Sequence, residues 1–224
     1  MFVSGDANHG HRLEFRGYSK DEKQLVETGK LFGGECMPLC EADNSQLVVV
    51  DVQQRLVAAI PAESLKLMTQ NIALLLDTAT ILGIHTLCSE QYPAGLGSTV
   101  TAIAEHLPGN VEEIEKTSFS CVGSEVFQQR IDNNGSRQIV LAGMESHVCI
   151  LQSAVQLVQQ GLEVFVVEDA VCSRKEIHHR NAMERMRQAG VIITNTESVI
   201  FEWMRDARHE HFRKISALVK KSGE

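Results

Sequence analysis

Gln138-Ile139-Val140-Leu141-Ala142-Gly143-Met144-Glu145-Ser146-His147-Val148-Cys149 holds a strand, a turn and the approach to a helix. Residues 138–142 form a short apolar run, as in a strand buried on both faces. From Ile150 to Gln160, apolar residues fall at 150, 151, 154, 155, 157 and 158, which is the period of an amphipathic helix. The stretch therefore predicts a cysteine at a strand-to-helix junction. Backbone N–H groups and the helix dipole favour negative charge at such a point, lowering a thiol pKa and producing the nucleophilic thiolate. The same cysteine also reads as a small apolar residue opening a buried helix, and the stretch alone leaves both readings open.

The pattern repeats outward in both directions. Leu47 to Asp51, Ile84 to Cys88, Val111 to Lys116, Glu163 to Val167 and Val191 to Thr194 read as further strands. The third is less apolar, which places it nearer an edge. Between the strands lie helical stretches: Glu63 to Leu82 closed by Gly83, Ser98 to His106, Ser124 to Ile131, Ile177 to Ala189, Thr196 to Met204 and His209 to Lys221. Asn133-Asn134-Gly135 reads as a turn. Strands alternating with helices of this length imply parallel pairing and right-handed crossovers. The fold class is α/β: a three-layer α/β/α sandwich on a six-stranded, mainly parallel sheet. It occupies residues 45–224, preceded by an extension over residues 1–44. That extension holds six of the sixteen glycines and one short helical stretch, Lys20 to Lys30.

Composition narrows the function classes. The chain has 224 residues, 43% of them hydrophobic, enough for one large domain with a substantial core. A net charge of −8 argues against a general phosphate-binding surface, so no nucleic-acid partner is expected. No apolar run reaches the roughly 18 residues that span a bilayer, so no membrane partner is expected either. Met1 to Asp6 does not read as the start of a secretory signal. The six cysteines are too sparse for a disulfide scaffold and read as reduced thiols in a cytoplasmic protein. Cys36 and Cys40 lack the partner pair that completes a zinc site, so neither metal nor cofactor is expected.

In open parallel sheets, ligands bind beyond the carboxyl ends of the strands. Asp51, Lys116 and Cys149 all fall at or just after strand ends, so the topology gathers an acid, a base and a thiol at one edge. Such a set can form a nucleophilic site: the carboxylate accepts the thiol proton, and the lysine keeps the carboxylate ionised. Taken singly, Asp51 also reads as a helix cap and Lys116 as a solvated surface residue.

Asp51-Val52-Gln53, Glu115-Lys116-Thr117-Ser118-Phe119-Ser120 and Gly143 to Cys149 resemble the three motifs of the isochorismatase-like cysteine hydrolases, which include nicotinamidase and carbamoylsarcosine amidohydrolase. Glu90 to Gly97, Ser198 to Phe201 and Asp206 to His209 are similar to the isochorismatase-domain-containing subgroup. The resemblance runs from about residue 45 to the C-terminus. It implies a catalytic triad of Asp51, Lys116 and Cys149, and a non-proline cis peptide at Met144–Glu145. It also implies an oxyanion hole from the backbone N–H groups of Glu145 and Cys149. Ser146 stands where many relatives have threonine. Ser89-Glu90-Gln91-Tyr92 lacks the Asp-x-His metal pair of nicotinamidases, and Cys149 favours acyl transfer over vinyl-ether cleavage.

The resulting expectation is a cysteine hydrolase acting on a small amide-like C–N substrate through a thioester acyl-enzyme, assembled as a homo-oligomer. Gln53, Glu90, Gln91, Tyr92, Phe119 and Ser146 are candidate substrate contacts, although Tyr92 and Phe119 serve equally well as packing aromatics. A thiol redox or sensing protein, or a catalytically silent interaction protein on the same fold, is the alternative.

Overall fold

The computed structural model describes residues 38–111 and 113–222; the expected extension before Pro38, with its Lys20 to Lys30 helix and Cys36, lies outside the described residues. Six strands form one sheet: β1 (Ser45–Val50), β2 (His85–Gln91), β3 (Glu113–Lys116), β4 (Gln138–Met144), β5 (Glu163–Cys172) and β6 (Ile192–Thr194). Their order is β3-β2-β1-β4-β5-β6, and every neighbouring pair is parallel. The less apolar third strand is an edge strand. Strand order reverses between β1 and β4, so the carboxyl ends of these two strands mark the switch point where such sheets open a crevice.

Alternation of side chains along the strands divides the core into two layers. Leu47 and Val49 face helix α1 (Ala62–Leu82), α5 (Thr196–Met204) and α6 (Phe212–Ser222), packing with Met68, Ile72, Leu75, Trp203 and Ile215. Val48 and Val50 face α2 (Glu125–Asn134), α3 (Leu151–Gln159) and α4 (Glu176–Gln188), packing with Phe127, Ile150, Leu157, Met183 and Met186. The result is the three-layer α/β/α arrangement that the alternation of elements predicts. No helix among the described residues is long and apolar enough to cross a membrane.

Several boundaries differ from the sequence reading, each for a local reason. β2 continues past Cys88 through Ser89, Glu90 and Gln91, because all three bury their polar groups against partners distant in sequence. β5 continues past Val167 to Cys172, and Asp169 caps the start of α5 through Thr196 N–H at 2.8 Å. The helix expected over 98–106 shrinks to Thr101–Ala104, since Thr99 pairs with Gln53 and Val100 N–H donates to Val52. α2 extends through the expected Asn133-Asn134 turn, and Gly135 closes it in the left-handed conformation. The cysteine helix begins earlier than expected, with a wide turn over Ser146–Ile150. Ahead of β1, Cys40 is buried and its N–H donates to Glu202 of α5 at 2.7 Å, so this stretch packs on the domain.

Gly143 lies at the end of β4 with φ of 119°, opposite Val50. A Cβ there would collide with the Val50 backbone, including its nitrogen at 2.7 Å. The glycine is thus what lets β1 and β4 approach at the switch point. Gly143→Ala is expected to cost about 2–3 kcal/mol by combining a clash with an unfavourable φ, measured as a lowered midpoint in urea unfolding.

Candidate active site

The carboxyl edge of the sheet brings Asp51, Lys116 and Cys149 together. Asp51 follows β1 directly and adopts a left-handed backbone, φ 52°, rare for a non-glycine residue. Its N–H donates to Ser89 O at 3.0 Å. β3 alternates exposed and buried positions, Glu113 and Glu115 outward, Ile114 and Lys116 inward. The lysine is therefore delivered into the sheet edge by strand geometry, and the solvated alternative does not hold.

Both charged side chains are buried, 1% exposed for Lys116 and none for Asp51. Lys116 Nζ donates to Asp51 Oδ2 at 2.6 Å, Gln91 Oε1 at 2.8 Å, Phe119 O at 3.0 Å and Ser118 O at 3.2 Å. Four acceptors surround three N–H donors, so the ammonium is held without water. Asp51 Oδ1 accepts from Ser89 Oγ at 2.8 Å, and the Cys149 thiol lies near enough to the same carboxylate to shift its titration. Burial pushes the Asp51 carboxyl above its ordinary value, opposed by the charge and hydrogen bond of Lys116 and by the Cys149 and Ser89 hydrogen bonds.

Cys149 corrects the helix-start argument. It lies within the opening turn, where Val148 and Ile150 N–H groups both donate to Glu145 O. Burial and the neighbouring Asp51 carboxylate push its thiol up, and Lys116 offsets only part of this. That shift favours the neutral thiol over a free thiolate.

The Met144–Glu145 peptide is cis. The Glu145 side chain points to Arg174, just after β5, which donates through Nη2 at 2.9 Å and through Nε and its backbone N–H at 3.1 Å. Burial acts to raise the Glu145 carboxyl, but the Arg174 hydrogen bonds and charge outweigh it and hold the group below its ordinary value. A depressed carboxyl contributes stability above its unfolded pKa and loses it as pH falls through the folded one. Arg174 is half-exposed, so Arg174→Ala is expected to cost only about 0.5–1 kcal/mol at neutral pH. Thermal unfolding across pH should show that difference closing toward acid.

The remaining candidate contacts separate into two groups. Gln53 and Gln91 lock together: Gln91 N–H donates to Gln53 Oε1, and Gln53 Nε2 donates to Gln91 O and Gly97 O. Gln91 also donates to Thr117 O, besides receiving Lys116. Glu90 Oε1 is taken by the N–H and hydroxyl of Thr99 at 2.6 and 2.8 Å. Ser146 is fully buried and pairs with His179 Nδ1 at 3.0 Å. These four place polar groups against partners within the protein itself. Tyr92 and Phe119 differ, being 57% and 56% exposed, which sets aside a packing role. Each is tied by its backbone to Lys116, Tyr92 through its N–H to Lys116 O and Phe119 through its carbonyl. A cleft of about 410 Å³ opens beside them, walled by Tyr92, Pro93, Ala94, Thr117, Ser118 and Ser124. It borders the lysine side of the site, and Cys149 does not line it.

The sequence reading missed Ser89, Arg174 and His179. Ser89 carried a usable signal, as the residue after an apolar run beside the strand that delivers Asp51. Arg174 and His179 carried none, since their partners lie 29 and 33 residues away. Among the described residues, no group of three His, Cys, Asp or Glu side chains is placed to hold a metal.

Residues 45–198 match the sequence model of the isochorismatase domain. Isochorismatase domain-containing protein 1 of Danio rerio is 43% identical over 148 residues, 66% of this chain and 52% of that protein. The chain thus spans about half the length of that relative. Isochorismatase domain-containing protein 2 of Bos taurus is 35% identical over 178 residues, 79% of this chain and 83% of that protein. A Caenorhabditis elegans structure described as MAR1 ribonuclease superposes with a TM-score of 0.77 at 33% identity, covering 82% of this chain and 93% of that one. The Escherichia coli YcaC structure, described as an octameric hydrolase of unknown specificity, shares the fold with a TM-score of 0.74 at 22% identity, over 85% of this chain and 98% of that one. With the domain match covering well over half its length and relatives 35–43% identical, the chain belongs to the isochorismatase family.

Proposed function

We propose that the chain is a cysteine hydrolase acting on a small amide-like C–N substrate, with Cys149 as nucleophile and Asp51 as general base. Membership of the isochorismatase family supports a hydrolase. The observation that carries the finer reading is the buried Asp51 carboxylate, paired with the Lys116 ammonium at 2.6 Å and electrostatically coupled to the Cys149 thiol. Asp51 takes the thiol proton as sulfur attacks the carbonyl carbon. The N–H groups of Glu145 and Cys149 receive the developing oxyanion. As the C–N bond breaks, Asp51 returns the proton to the leaving amine. Asp51 then removes a proton from water, whose oxygen attacks the thioester; the carboxylic acid leaves and the thiol is restored. Lys116 contributes fixed positive charge throughout. Tyr92 and Phe119 form the exposed lip that meets the substrate.

Amine release from a panel of small amides tests this reading. Release that stops in Cys149→Ala supports it, and release that persists in that variant rejects it. The description of the Caenorhabditis elegans neighbour favours a second reading, RNA cleavage. Its mark would be RNA binding that falls steeply with salt, against which stands the net charge of −8.

A further inference from the structure

We propose that Ser89, oriented by Cys121, is a positioning residue that fixes the Asp51 carboxylate and sets the pH at which Cys149 becomes reactive. This rests on the reading of Asp51 as the base. Ser89 holds Asp51 twice, accepting its N–H at 3.0 Å and donating its hydroxyl to Oδ1 at 2.8 Å. Lys116 occupies Oδ2, so each carboxylate oxygen has its own donor. Ser89 is buried, 1% exposed.

A hydroxyl beside a carboxylate still needs its proton aimed. Cys121 Sγ lies 3.6 Å from Ser89 Oγ. Cys121 is wholly buried, and burial pushes its thiol up, so it remains a neutral S–H. A neutral thiol donates to the serine oxygen, and the serine proton is then directed at Asp51. The Cys121 N–H in turn donates at 2.9 Å to Ser153 Oγ, itself fully buried on α3, four residues after Cys149. The chain Ser153–Cys121–Ser89–Asp51 therefore links the helix that carries the nucleophile to the base that serves it. The titratable groups around Asp51 are Lys116 from β3, Cys149 and Cys121 from turns after β4 and β3, and Cys88 from β2. Of the thiols, Cys121 alone is placed to act on Asp51 through Ser89.

A donor to a carboxylate favours its charged form, so deleting it raises the pKa. The test is the rate of Cys149 alkylation by iodoacetamide as a function of pH, resolved from the other cysteines by peptide mapping. Ser89→Ala is expected to move the acid limb up by about half to one pH unit, slowing reaction on that limb roughly 3- to 10-fold. Ser89→Thr keeps the hydroxyl and should return the limb toward wild type. Cys121→Ala should move it in the same direction by less, and carries the test should Ser89→Ala not fold. A purely structural serine would lower stability and leave the limb in place. A limb abolished by Asp51→Asn but unmoved by Ser89→Ala and Cys121→Ala overturns this proposal alone. A limb that survives Asp51→Asn overturns the base reading and this proposal with it.

Discussion

Asp51→Asn is expected to lower turnover of an amide substrate by about 10³-fold or more, the scale seen when one member of a catalytic unit is removed. Asparagine keeps the shape and can still accept a hydrogen bond from Lys116, but it cannot take the Cys149 proton. The loss should be large because the proton acceptor is gone while burial still pushes the thiol up, even though the raising effect of the Asp51 charge goes with it. Lys116 retains Gln91, Ser118 and Phe119 as acceptors, so the fold should survive at a cost of about 1–3 kcal/mol. Turnover measured beside a thermal unfolding curve separates the two effects. Activity within tenfold of wild type in a folded variant would contradict the role of Asp51.

Lys116→Met should act in the opposite proportion, striking stability first. It leaves the Asp51 carboxylate buried with no counter-charge, and breaking a buried pair in this way costs about 3–5 kcal/mol. The sign of its pH dependence follows from Asp51. Burial already raises that carboxyl, and loss of the ammonium raises it further. A group whose folded pKa lies above its unfolded value contributes most below the unfolded pKa and loses that contribution as pH rises through the folded one. The deficit of Lys116→Met should therefore be smallest in acid and grow as pH rises above the wild-type Asp51 pKa, which itself lies above the ordinary carboxylate range. Denaturant midpoints for both proteins across that rise in pH check it, and a deficit independent of pH would show that Asp51 is not the group left stranded.

The layer architecture was legible because it rests on short-range signals. The apolar runs at 47–50 and 138–142, the amphipathic α1 and the glycine that closes it each mark their element locally. The inward aim of Lys116 also follows from alternation along a short strand. What the sequence hid are polar residues buried in strands. Ser89, Glu90 and Gln91 break the apolar pattern, so hydrophobic reading ends β2 three residues early. They remain in the strand because Asp51, Thr99 and Lys116 satisfy them, and such partners emerge only from the assembled sheet. The internal partners of Gln53 and Ser146 were hidden for the same reason. The wide turn at Ser146–Ile150 was hidden too, because the apolar period of the helix starts only at Ile150.

The proposed mechanism requires a thioester on Cys149, formed with the help of Asp51. It is tested most directly by offering a small activated acyl donor, such as a p-nitrophenyl ester, and mapping the trapped acyl group by mass spectrometry. The expected result is one hydroxylamine-labile acyl group per chain, on Cys149, absent from Cys149→Ser and strongly reduced in Asp51→Asn. An acyl group located on another residue, or one that accumulates on Cys149 equally fast in Asp51→Asn, would contradict the account.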